Sequence, residues 1–234
     1  MTDTIRLGFA GSYKCDLILY LSGILHNAGK KVAIVDASDE QLFQYCLPVL
    51  FASDCMVTYR DIDAYYKIKN EDDYRSVMKE EYEVLLIDIG FNKSMAGFLR
   101  SMDYCIFVTD PEIHNVQKMR DFISIFNESG KEADENKSEN SVRIFRDMCQ
   151  GKIGYKYISS IIDSPASMNY IGEYVFLLDE VDRRLRLHCQ YDHIFKFGRL
   201  SKEYKIMFAD MLDTFFGMSK KQIKKSIRKA ERGR

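Results

Sequence analysis

The chain has 234 residues, 46% hydrophobic and 29% charged, with a formal net charge of −1. That length and apolar content support a substantial core and exclude a disordered chain. No apolar run approaches the roughly 20 residues of a membrane helix, and Met1-Thr2-Asp3-Thr4 lacks the basic start of a secretory signal.

In chain order, Ile5 to Ala10 reads as a short buried strand. Leu17 to Asn27 reads as a helix, with Leu17, Leu21, Ile24 and Leu25 at helical spacing and Gly29 as its C-cap. Lys31 to Asp36 is a second, β-branched strand, which completes a βαβ unit with parallel strands. Residues 39–50 read as a helix, 55–59 as a short strand and 71–80 as a polar helix. Glu83 to Asp88 and Tyr104 to Thr109 are two more buried strands, separated by a short helix from Ser94 to Ser101. Asp110-Pro111-Glu112 opens a long helix to about Asn127. Residues 127–140 contain one apolar residue, Ala133, and read as a flexible loop. Beyond it, 141–150 reads as a helix, Tyr155 to Ile162 as a strand, and Tyr174 to Leu187 and Lys202 to Phe216 as helices. The expected fold is one α/β domain over 1–218: a mostly parallel central sheet covered on both faces, followed by a basic tail over 219–234.

Ligands of such sheets bind at the carboxyl ends of the strands. Three features fall there: the loop after the first strand, Asp36 after the second, and Asp88 after the third long one. The loop reads GFAGSYKCD, the next helix and strand HNAGKKVAIVDAS, and later come YEVLLIDIG and DYCIFVTDPEIHNVQKMRDF. In this order the segments resemble the ParA/MinD family of deviant Walker-A ATPases, whose patterns are GKGGxGKT, AGKKV with VDxD, YDYIIIDTP and DxVIxVTxPE. The resemblance runs from residue 5 to about 126. It implies a three-layer α/β/α P-loop NTPase fold of the SIMIBI/MinD-like kind. It also places ATP or ADP on Gly11, Ser12, Tyr13, Lys14, Cys15 and Asp16, casts Asp36 as the water-positioning acid, and casts Asp88 as the Mg²⁺-linked acid.

The departures from the pattern fall on one step. The last glycine of the motif is Tyr13, where a bulky Cβ-bearing side chain is costly if the backbone must approach phosphate. Cys15 replaces the Mg²⁺-binding hydroxyl, and thiol is a poor partner for that hard ion. Asp16 is expected to repel phosphate. Phe9 replaces the lysine that reaches across the family's dimer, and with Tyr13 is expected to supply apolar contacts at the dimer face. Ser38 replaces the second acid of VDxD. Phosphoryl transfer rests on positioning and charge neutralisation, so the expectation is a pseudo-ATPase. It would act as a scaffold or localisation factor of a cellular machine such as a pilus, secretion, division or partition apparatus, in the manner of TadZ-like proteins. The partner would be a second copy or a component of that assembly. Alternatives are a slow switch ATPase and a basic-tailed nucleic-acid-binding partition protein. It stays open whether residues 11–14 still curl around an anion or Tyr13 fills the hollow.

Residues 219–234 hold eight Lys or Arg and one Glu, with Ser219 as N-cap and Ile223, Ile227 and Ala230 on one face. An anionic membrane surface or nucleic acid would suit such a helix. Six cysteines without a CxxC pair fit a reducing, cytoplasmic setting, with peripheral membrane contact through the tail as a variant. His188, Cys189 and His193 invite a zinc reading, but a structural site needs four ligands.

Overall fold

The structure, a computed structural model, describes residues 4–48, 55–77, 81–129, 140–164, 168–193 and 197–232. Eight strands form one sheet: β1 (Ile5–Gly11), β2 (Val32–Asp36), β3 (Met56–Tyr59), β4 (Ile62–Tyr65), β5 (Val84–Gly90), β6 (Tyr104–Thr109), β7 (Ser141–Met148) and β8 (Gly172–Leu177). Their order is β3-β4-β2-β5-β1-β6-β7-β8, with β3 antiparallel to β4 and the other neighbours parallel.

Each central strand is buried on both faces, which is why its sequence is a continuous apolar run. Alternate residues feed two cores. Ile34, Leu86 and Ile106 face a layer of α1 (Cys15–Asn27), α8 (Lys202–Phe216) and α9 (Lys220–Glu231). Val35, Ile87 and Phe107 face α4 (Ala96–Arg100), α5 (Ile113–Glu128) and α6 (Tyr155–Ile162). Among the described residues there are three further, short or lateral α-helices: α2 (Phe43–Cys46), α3 (Glu71–Val77) and α7 (Glu180–Asp192).

In α1, Leu17, Leu21, Ile24 and Leu25 are all buried, and each contributes on the order of 1.5–3 kcal/mol. The helix stops at Gly29, whose φ is +89°. The Gly29 amide donates to His26 and the Lys30 amide to Leu25, a pairing that satisfies the last carbonyls and needs a left-handed residue. At the other end of the chain, Ser219 and Gln222 form a reciprocal capping box that starts α9.

Several sequence readings need correction. Residues 141–150 are not a helix: 141–148 is β7. Its two arginines, Arg143 and Arg146, sit three apart as on a helix, but both are buried and ion-paired inside the sheet's flank. Residues 155–162 are a helix rather than a strand, because Ile158 and Ile162, four apart, are its buried positions. Residues 174–187 divide: β8 ends at Leu177, then Asp179 caps α7 by accepting from the Asp182 amide at 2.9 Å. Within 39–50 only Phe43–Cys46 is helical, and 49–50 lie outside the described residues. The strand at 56–59 pairs with β4, which the sequence reading missed. The two-residue turn between them, Arg60-Asp61, has φ of 51° and 61°. Of the 127–140 loop, residues 130–139 lie outside the described residues, while Asn127 and Glu128 end α5.

Candidate functional site

The strand order puts β2, β5 and β1 side by side, so the phosphate-loop segment, Asp36 and Asp88 meet at one sheet edge. Asp36 and Asp88 are register partners on β2 and β5. The loop begins at Gly11 with φ +111°, where an added Cβ would lie 2.0 Å from the Val108 carbonyl oxygen. Only glycine fits there. Gly8 answers a different need, since its Cβ would strike Leu99 Cδ1 at 2.3 Å.

The Ser12 amide donates to the Val108 carbonyl at 2.9 Å, so it faces β6. Lys14 does not project outward. Its ammonium donates to the carbonyls of Gly11 at 2.9 Å and Ser12 at 3.3 Å and pairs with Asp88 Oδ1 at 2.7 Å. The Lys14 residue is 2% exposed. Asp88 Oδ1 also accepts from the Gly90 amide. Tyr13 turns toward α2, with its hydroxyl 3.6 Å from Cys46 Sγ. So the hollow contains the chain's own cation, and neither of the two alternatives left open by the sequence describes it.

A second buried pair braces the loop. Arg146 of β7 makes a two-pronged contact with Asp16, at 2.9 and 2.8 Å, and also donates to the Tyr13 carbonyl at 3.0 Å. Burial acts to discharge both groups. The guanidinium outweighs it and holds the Asp16 carboxyl below its usual range, while the carboxylate raises Arg146. Asp16 is therefore a neutralised brace rather than a phosphate repeller. Sequence reasoning missed Arg146 because its segment was read as a helix; the signal was an arginine inside the apolar run VRIF-R.

Asp36 Oδ1 accepts from the Ser38 amide and hydroxyl at 3.1 and 2.6 Å, and Oδ2 from the Phe43 amide at 3.0 Å. Burial and the Asp88 charge push it up to about 7 against those donors. The Cys15 thiol is fully buried. Burial, and then its contact with Cys46, raise it well above its ordinary value. A neutral, buried thiol beside a lysine-bound Asp88 does not fit Mg²⁺, which requires oxygen ligands and retains water. Two donors that a triphosphate would draw on, the Ser12 amide and the Lys14 ammonium, are likewise engaged inside the loop, so as arranged these two do not fit the nucleotide either.

No protein-family model and no curated protein matches the sequence. Solved structures do match in fold. A plasmid partition protein from Borrelia burgdorferi bound to AMPPNP superposes with TM-score 0.59 at 13% identity, over 92% of this chain and 99% of that one. The MinC:MinD cell division complex of Aquifex aeolicus gives 0.54 at 11%, over 97% and 96%. An ATP complex of Cyanothece McdA gives 0.55 at 11%, over 94% and 99%. The chain has the ParA/MinD fold.

Within that fold, two further expectations change. Phe9 is 1% exposed and belongs to the core beneath α1, so it presents no dimer contact, while Tyr13 packs against the same core but is only partly buried. The basic tail is α9, whose Ile223, Ile227 and Ala230 pack against the core under α1 and α8. This structure therefore keeps its apolar stripe from any acyl layer, and Lys220, Lys221, Lys224, Lys225 and Lys229 face outward. Among the described residues no helix is long and apolar enough to cross a membrane. His188 is exposed, Cys189 lies 3.5 Å from the Tyr20 hydroxyl and His193 Nδ1 lies 3.0 Å from the Cys46 carbonyl, so the three do not converge on a metal.

Proposed function

We propose that this chain is a pseudo-ATPase of the ParA/MinD fold. It works as a scaffold or localisation factor in the cytoplasm, joined to a second copy or to a component of a larger assembly. The observation that carries the reading is the Lys14 ammonium, bound within the loop by Gly11, Ser12 and Asp88. A cation so engaged must leave a buried ion pair before it can meet phosphate, and breaking such a pair is strongly unfavourable. The fold neighbours described as partition, division-complex and McdA proteins support the setting.

Calorimetric titration of Mg²⁺ and ATP into the full chain tests this. No saturable heat is expected below millimolar nucleotide. Sub-millimolar binding that vanishes in Lys14→Ala would sink the proposal, and phosphate release abolished by Asp36→Ala would establish a slow switch ATPase instead. The outward cations of α9 favour a partner with an acidic surface, nucleic acid included. Charge reversal at Lys224 and Lys225 is the fitting test, because deleting 219–234 would strip the cover from α1.

A further inference from the structure

At the far end of α1 from the loop lies a cavity of about 370 Å³, between that helix, the β3–β4 hairpin and the start of the 197–199 turn, with Ala230 of α9 at its edge. Its body is apolar and aromatic, formed by Leu19, Tyr20, Tyr59, Ile62 and Phe197. Its rim carries Arg60, His26 and Asp61. Lys229 is tethered beside it, its ammonium donating to the Asn27 carbonyl at 3.4 Å. Basic groups thus outnumber the single carboxylate at the opening.

Two sequence choices on this wall weaken the chain's own stability without a packing reason. Gly23 lies inside α1, where glycine is a poor helix former. A Cβ there would meet nothing within 4 Å. Arg60 and Asp61 both hold left-handed backbone, the turn in which Asn-Gly is the favoured pair. The hairpin itself requires left-handed residues at 60 and 61, whereas Gly23 answers no such need, and a glycine facing open space leaves room for a ligand to approach the helix backbone.

We propose that this cavity is a binding site for a small planar apolar molecule bearing one anionic group, such as an aromatic carboxylate. The ring system lies along Gly23 against the Tyr20–Phe197 ring pair and Tyr59, and the anion meets Arg60 at the rim. The site is independent of the phosphate loop.

The probe is 2-naphthoate, with neutral 2-naphthamide as comparison, titrated calorimetrically into the full chain. Naphthoate should bind one to one and at least tenfold more tightly than the amide. Gly23→Leu fills the cavity at a helix-compatible position and should abolish binding while the chain stays folded by circular dichroism. Arg60→Gly relieves the turn and should erase the preference for the acid. Should Gly23→Leu fail to fold, Gly23→Ala, smaller and helix-favouring, should still weaken naphthoate binding several-fold. The proposal is overturned if the wild-type chain shows no saturable binding, if acid and amide bind alike, or if binding persists unchanged in the folded Gly23 variants.

Discussion

At the N-terminal end of α1, Ser12, Lys14, Cys15 and Asp16 are each at most 4% exposed, and two ion pairs tie the loop to β5 and β7. In its C-terminal half, Gly23 and His26 border an open cavity and the nearby hairpin is strained. One helix thus has a closed, charge-paired end where the resemblance in sequence places nucleotide, and a hollow end where its sequence gives up helix propensity. Position within a fold does not by itself locate a site. The side chains decide which end of an element is left open.

The sharpest way to break this contrast is to unpair the closed end. Asp16→Leu strands the Arg146 guanidinium in the interior and should cost about 3–5 kcal/mol in urea unfolding, with Arg146→Met in the same chain restoring most of it. A single-variant loss below about 1 kcal/mol would show that the brace is slack. Lys14→Met leaves Asp88 buried beside Asp36 and should cost about 3 kcal/mol at pH 8 and less at pH 5, where a carboxyl can take up a proton. An equal loss at both pH values would argue against that charge balance.

Asp36 gives a smaller effect with a definite sign. Its folded value of about 7 lies above the ordinary 3.8, so the folded chain holds a proton the unfolded chain has released. That contribution is complete below about pH 4 and disappears as pH rises through 7, removing roughly 2–3 kcal/mol between pH 5 and 7. Asp36→Asn should flatten this slope, and identical pH profiles for the two chains would refute it. At the hollow end, Gly23→Ala should raise stability by about 1 kcal/mol, or about 2–4 °C in Tm. A decrease would mean that the space beside Gly23 is not open.

Much of the sheet was legible because β1, β2, β5 and β6 are apolar runs bounded by glycine and acids, and the convergence of Asp36, Asp88 and the loop followed from their strand ends. The second half was harder for a physical reason. In β7 two arginines are buried and satisfied by partners distant in sequence, Asp16 and the Asp163–Glu173 pair, so local polarity misled. In α6, the Tyr155-Lys156-Tyr157 alternation and the β-branched isoleucines imitate a strand. For the site, sequence showed which residues occupy the loop but not that Lys14 folds inward. That depends on the distance between its ammonium and carbonyls of its own loop, which no residue pattern encodes.

The packing of α9 over α1 also bears on how the molecule is made. Asn27 and Lys229 meet across 202 residues, so the outer face of the first helix remains uncovered until nearly the whole sequence has been synthesised. Contacts of such long range slow folding and prolong the lifetime of exposed apolar surface. The nascent first βαβ unit is therefore the segment for which chaperone binding during translation should be strongest, and its release should coincide with emergence of the basic helix.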